Sequence, residues 1–326
     1  MSHKTEKENL LNASTMLHAI IEEVQKVVVG QDILLRNLVI ALFAKGHIIL
    51  EGVPGLAKTL SIETLAKTIG VDYARLQFTP DLLPSDLIGT KVYDPSKGKF
   101  NTKKGPIFAN LVLADEINRA PAKVQSALLE SMAEKQVTIG EERHKLPSPF
   151  VVMATQNPIE QEGTYSLPEA QLDRFLLKTV ISYPSEEEEL EIMKRMTSGH
   201  KVAIKKITTA KKILETQEVI NEVHVSDNIF EYVRNIIFAT RYPDDRGLEE
   251  VSHYMEFASP RASLALIQSA KVIACMHDRD FVIPEDIKEI APDVLRHRII
   301  LSYEAIADDI STDDIIDTLL QTIEIV

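Results

Sequence analysis

The string Gly52-Val53-Pro54-Gly55-Leu56-Ala57-Lys58-Thr59 lies between a short apolar run, His47 to Leu50, and a stretch of helical spacing that starts at Lys58. A strand, a glycine-bearing loop and a helix N-terminus in that order make a phosphate cradle, because backbone N–H groups and the helix end direct positive potential into the loop. Lys58 is placed to reach the β- and γ-phosphates of a nucleotide, and Thr59 to offer its hydroxyl to Mg2+; Gly52, Pro54, Gly55, Leu56 and Ala57 form the loop itself. Ala57 departs from the general pattern, which has a glycine there. Alanine accepts right-handed helical dihedrals, so this position can be helical. In isolation the string also reads as an ordinary turn before a helix.

Two further apolar runs end in polar side chains. Leu111-Val112-Leu113-Ala114 leads into Asp115-Glu116. Strand ends are where an α/β sheet holds its ligands, so Asp115 is placed to orient a hydrated Mg2+ and Glu116 to polarise an attacking water. A lone acidic pair after a strand is as often a solvated loop start. Phe150 to Ala154 is followed by Thr155-Gln156-Asn157, and the Asn157 amide offers a donor and an acceptor to a water or a γ-phosphate. Asn157-Pro158 also reads as a turn. Arg174, in Asp173-Arg174-Phe175, and Arg261, in Ser259-Pro260-Arg261, carry guanidinium forks suited to phosphate; each alone is equally a surface ion-pair partner.

The elements that must position these groups follow from apolar spacing. Three- and four-residue spacing predicts helices over Glu8 to Val27 and Gln31 to Lys45, joined at Gly30, and over Lys58 to Ile69 and Ala122 to Glu134. Short strands are expected at His47 to Leu50, Tyr73 to Phe78, Leu111 to Ala114, Phe150 to Ala154 and Leu176 to Ile181. This alternation implies a mostly parallel α/β sheet. Past Tyr183-Pro184 the pattern turns helical: Ser185 precedes Glu186 to Glu189 as a cap precedes a first turn, and Ser226 and Ser259-Pro260 mark further helix starts. The expected organisation is an α/β domain over residues 1–184 and a smaller all-α domain over residues 185–326.

Composition limits the alternatives. The 326 residues include 36 Lys and Arg against 49 Asp and Glu, a net charge of −13 that argues against general nucleic-acid binding, whose affinity comes from phosphate neutralisation. No apolar run reaches the length of a membrane span and Met1 to Leu11 is too polar for a signal peptide, so a cytoplasmic location is expected. Cys275 is the single cysteine, which rules out an internal disulfide, and no histidine joins a cysteine cluster at metal-ligand spacing.

In this order, the phosphate loop, Asp115-Glu116, Asn157, Arg174 and Arg261 resemble Walker A, Walker B, sensor 1, arginine finger and sensor 2 of AAA+ ATPases. The strings Gln77-Phe78-Thr79-Pro80-Asp81, Asp115-Glu116-Ile117-Asn118-Arg119-Ala120-Pro121, Ala154-Thr155-Gln156-Asn157-Pro158 and Leu167-Pro168-Glu169-Ala170-Gln171 resemble the MoxR family within that class. The match is dense from Val29 to Phe175 and sparser beyond, and the Ala57 form of the loop is usual in that family. The resemblance implies an AAA+ αβα P-loop core with a helical lid, ATP and Mg2+ as cofactors, and a ring, commonly a hexamer, with nucleotide held between neighbours. It implies that Arg261 serves its own subunit's ATP, that Arg174 reaches the neighbour's with Arg119 as runner-up, and that the loop around Gly30 lies beside adenine. It further implies a partner with a von Willebrand factor A domain and a chaperone-like role in remodeling, maturation or metal insertion of a client. Metal-chelatase motor subunits resemble the chain in the same motifs. A DNA-dependent motor would need a DNA-reading appendage, for which little chain remains after the lid, and a nucleotide-controlled scaffold would not need the complete catalytic set.

Other segments stay open. Lys91, Lys97, Lys99, Lys103 and Lys104, with Tyr93, Phe100 and Phe108, read either as an inserted element that contacts a partner or as a solvated hairpin with its aromatics turned inward. Gly140 to His144 reads as a hairpin tip with His144 exposed, and Leu264, Val272 and Cys275 share a helical face expected to be core. Leu301 to Val326 holds acidic residues and no Lys or Arg, which suits a solvated face or an acidic partner surface.

Overall fold

The computed structural model describes residues 3–158, 163–198, 202–256 and 259–325. Helices α1 (His3–Gln25) and α2 (Asp32–Phe43) precede β1 (Ile48–Glu51), α3 (Lys58–Ile69), β2 (Tyr73–Gln77) and the short α4 (Pro84–Ile88). Then follow β3 (Gly89–Asp94), β4 (Lys99–Lys104), β5 (Leu111–Asp115), α5 (Ala122–Glu134), β6 (Gln136–Ile139), β7 (Glu142–Lys145), β8 (Val151–Gln156), α6 (Glu169–Leu172) and β9 (Leu177–Val180). Strands β2, β5, β8, β1 and β9 form one sheet in that spatial order, and each adjacent pair is parallel.

Side-chain alternation along these strands supplies two cores. Ile48, Leu50, Leu111, Leu113, Val151 and Met153 face α1, α2 and α3, while Ile49, Val112, Ala114, Val152 and Ala154 face α5. Because both faces are covered, the strands read as continuous apolar runs rather than as alternating ones. The first of these clusters runs on without a break into the helices that follow the sheet, through Tyr232, Ile236, Leu266, Ile273 and Ile290.

Those helices are α7 (Glu186–Thr197), α8 (Ala210–Asn221), α9 (Asp227–Ala239), α10 (Arg261–Met276), α11 (Pro284–Leu295), α12 (Tyr303–Ala307) and α13 (Thr312–Thr322). Ser185 caps α7 reciprocally: its hydroxyl accepts the Glu188 N–H at 3.3 Å and its own N–H donates to the Glu188 carboxylate at 2.8 Å. The helical part also contains a two-residue antiparallel pairing of β10 (Met255–Glu256) with β11 (Ile300–Leu301), too short to show as a strand in the sequence.

Three expectations change on folding. Leu264 is not core: it is 65% exposed, whereas Val272 and Cys275 are fully buried and burial pushes the Cys275 thiol up to about 12. β3 and β4 do form a hairpin, but Tyr93 and Phe100 stand exposed side by side with ring centroids 5.2 Å apart. Only Phe108 turns inward, with the Lys104 ammonium 4.7 Å from its ring. His144 is not at an exposed tip either; it pairs with Val137 in the β6–β7 hairpin and is largely covered beside Phe108.

His47, just before β1, is fully buried; its Nδ1 accepts the Val152 N–H at 2.9 Å, and burial pulls its pKa down to about 4. Burial also holds His297 well below its ordinary value, with Nε2 3.0 Å from the Phe175 carbonyl. Below about pH 6.5 the unfolded chain takes up protons at both imidazoles that the native chain refuses, so stability contributed above that pH is lost as the pH falls toward 4. The expected slope is about 1.4 kcal/mol per pH unit for each histidine. Denaturant titrations of wild type and His47→Gln between these limits measure it. Equal slopes for the two chains would show that His47 is protonated in the native state.

Candidate functional site

Since β8 lies between β1 and β5, the C-terminal ends of these three strands open into one cavity of about 710 Å3. Pro54 to Thr59, Asp115, Glu116 and Asn157 all line it, together with Val27, Val28, Val29 and Gln31 from the segment joining α1 to α2. Gly52 sits behind the loop, and its carbonyl accepts the Lys58 ammonium at 2.5 Å. Burial pulls the Lys58 pKa below its ordinary value, against the raising pull of Asp115, Glu116 and Glu51. A cation so poorly hydrated gains when a polyphosphate replaces the missing water.

Ala57 is not helical. It has φ 57° and ψ 16°, the left-handed region, and its carbonyl is held by the Ser61 N–H and hydroxyl, each at 2.9 Å. A residue with a Cβ in that region costs about 1–2 kcal/mol, which is why the general pattern has glycine there. Gly30 has φ +69° and does not itself line the cavity; a Cβ there would lie 2.5 Å from the Glu188 carboxyl carbon. Its absence lets the start of α7 close over the α1–α2 loop, and Glu189, Ile192 and Met196 of α7 form part of the cavity wall.

Both carboxylates are held by side chains, and of these Arg75, Gln77 and Thr155 are given no role by the sequence. Asp115 Oδ2 accepts Arg75 at 2.6 Å, and Asp115 Oδ1 accepts the Thr155 hydroxyl at 2.6 Å. Glu116 has φ 56° and ψ 51°, a second left-handed residue; its N–H donates to Thr155 Oγ1 at 2.8 Å. Glu116 Oε2 accepts Gln77 at 2.8 Å and lies 3.1 Å from Arg119 Nε. Arg75 and Gln77 are two apart on β2, and Gln77 pairs directly with Asp115 across the sheet. Thr59 and Asp115 present oxygen donors to the same cavity, the donor type of Mg2+, which needs only one or two protein ligands when phosphates complete its shell. Among the described residues no group of three or more His, Cys, Asp or Glu forms a self-sufficient metal site.

Arg174 and Arg261 lie elsewhere. Both line a second cavity of about 720 Å3 with His47, Glu130, Gln171 and Asp173. Arg174 donates to the Leu129 carbonyl at 2.9 Å. Arg261 reaches Asp173 Oδ2 at 3.4 Å; the same oxygen accepts Ser259 at 2.7 Å, and Asp173 Oδ1 accepts the buried Arg298 at 2.9 Å. Arg261, expected to face its own chain's nucleotide, is the first residue of α10 and lines this second cavity, not the one that holds the 52–59 loop.

Residues 47–177 match the model of the ATPase family associated with various cellular activities (AAA), and residues 255–319 match that of the AAA lid domain. The chain is 51% identical over 308 residues to a Mycobacterium tuberculosis protein named Chaperone MoxR1, an alignment covering 94% of this chain and 81% of that one. It is 31% identical over 301 residues to Protein MoxR of Methylorubrum extorquens, covering 86% of each. The chain belongs to the MoxR family of AAA+ ATPases. A crystal structure of a candidate ATPase from Cytophaga hutchinsonii aligns with this MoxR-family chain at a TM-score of 0.94 and 52% identity, covering 99% of this chain and 98% of that one.

In this MoxR-family ATPase a single hydroxyl, Thr155 Oγ1, spans the two carboxylate residues. Thr155→Val keeps the shape and removes the bridge, leaving the Glu116 N–H and Asp115 Oδ1 each short of a partner. The expected result is a stability loss of about 1–3 kcal/mol with a fall in ATP turnover. Urea denaturation and a steady-state ATPase assay read the two effects; wild-type values in both would show that the bridge has no role.

Proposed function

We propose that this chain binds ATP with Mg2+ at the 52–59 loop and hydrolyses it at a site completed by a neighbouring copy, to drive chaperone-like remodeling, maturation or metal insertion of a client protein. The observation that carries this reading is the separation of the two half-sites: Lys58, Asp115, Glu116 and Asn157 line one cavity, and Arg174 and Arg261 line another. Guanidinium groups set apart from the phosphate loop are suited to phosphates presented by another molecule. Both arginines then act on the neighbour's nucleotide. Arg119 is the weaker candidate because it lies against its own chain's Glu116.

In this reading residues 1–184 form the nucleotide-binding core and residues 185–326 the lid. Lys58 would face the terminal phosphates, and Thr59 and Asp115 would hold Mg2+, which would supply Lewis-acid charge stabilisation when bound. Glu116, freed from Gln77 and Arg119, polarises water that Asn157 positions. The name Chaperone MoxR1 of the 51% identical relative supports the remodeling role. A hexameric ring and a von Willebrand factor A-domain partner rest on family resemblance. No helix among the described residues is long and apolar enough to cross a membrane, which is compatible with the cytoplasmic location proposed.

Glu116→Gln is expected to keep ATP binding and lose hydrolysis, since an amide keeps the shape and lacks the basicity; Lys58→Ala is expected to lose binding. Calorimetry and turnover assays separate the two, and normal turnover by Glu116→Gln would move the catalytic carboxylate elsewhere. Mixing tests the shared site. Arginine fingers contribute roughly 10³ to 10⁵ in rate, or about 4 to 7 kcal/mol of barrier, so Arg174→Ala should bind ATP and hardly hydrolyse it. A mixture of Arg174→Ala and Glu116→Gln chains should regain partial activity, because some interfaces then combine an intact Glu116 with an intact Arg174. Mixed assemblies that form and stay inactive would refute action in trans.

A further inference from the structure

Helix α7 is amphipathic, yet none of its residues is buried. One stripe, Glu189, Ile192 and Met196, borders the phosphate-loop cavity. The adjacent stripe, Leu190 and Met193, is 48% and 53% exposed and follows the acidic first turn of Glu186 and Glu187. Elsewhere, α9 and α10 leave between them an open groove of about 490 Å3. Its apolar walls include Phe230, Phe238 and the exposed Leu264, and its charges are Arg234, Arg241 and Lys271. Leu264 of the groove lies one helical turn from Arg261, which lines the cavity that holds the two arginines, so the two openings are neighbours along α10.

We propose that the groove between α9 and α10 receives helix α7 of a second copy of this chain, Leu190 and Met193 seating against Phe230, Phe238 and Leu264 while Glu186 and Glu187 meet Arg234 and its basic neighbours. The inference rests on the shared-site reading above and deepens it. When the phosphate-loop cavity of one copy faces the arginine cavity of the next, the surface beside the first is α7 and the surface beside the second is this groove. Apolar length meets apolar length, and an acidic helix start meets a basic rim. The contact also explains why the helix that walls the nucleotide cavity exposes a second apolar stripe: nucleotide on one side and the neighbour's lid on the other hold the same helix.

The test uses the full-length chain with ATP. Glu187→Arg and Arg234→Glu should each raise the concentration for half-assembly by about tenfold or more in sedimentation velocity, and the equimolar mixture of the two variants should reassemble nearer to the wild-type concentration. A Met193→Cys chain mixed with a Leu264→Cys chain should form an inter-chain disulfide on mild oxidation, since Cys275 is buried. If wild type assembles and the Arg174→Ala and Glu116→Gln mixture regains activity, but the charge variants assemble normally and no cross-link forms, this docking is wrong and the shared site stands. A wild-type chain that hydrolyses ATP as a monomer overturns both.

Discussion

Parallel pairing places β8 between β1 and β5, and the three strand ends then deliver the phosphate loop, Asp115-Glu116 and Asn157 into one cavity. The pairing needs long buried apolar runs, which Ile48 to Leu50, Leu111 to Ala114 and Val151 to Thr155 supply. At the point where these runs stop, backbone groups lose their ladder partners and side chains take over. Thr155 does so for Glu116, accepting its N–H while donating to Asp115.

The charged groups of the site are held by partners within the chain. Lys58 rests on the Gly52 carbonyl, Arg75 on Asp115, and Gln77 and Arg119 on Glu116. Lys58, Asp115 and Glu116 thus each have a partner within the chain. The two left-handed residues of the site, Ala57 and Glu116, are held by Ser61 and by Thr155.

The phosphate loop, the carboxylate pair and the helices α3 and α5 were legible because local spacing and residue chemistry specify them. Arg75 and Gln77 were not, since their roles arise from β2 lying beside β5, a pairing between strands far apart in the chain. Ala57 was misread because its dihedrals answer to the loop's closure and not to alanine's own preference. Leu264 is exposed while Cys275 on the same face is buried, because periodicity tells which way a helix face points but not where its covering layer ends. In the first turns of α10 Ala262 and Leu266 are fully buried while the face that carries Leu264 is open, and Arg261 lines the second cavity.

Asp173 immediately precedes Arg174 in the chain, and its carboxylate is gripped from the helical part by Ser259, Arg261 and Arg298. Arg298 is also bonded to the Phe175 and Leu176 carbonyls, so the grip encloses Arg174 on both sides along the chain. A displacement of the lid would therefore pull directly on the backbone that carries Arg174. If Arg174 serves a neighbouring copy as proposed, the grip on Asp173 would couple the helical part of one chain to the nucleotide of the next, and by reciprocity that nucleotide would bear on the first chain's helices.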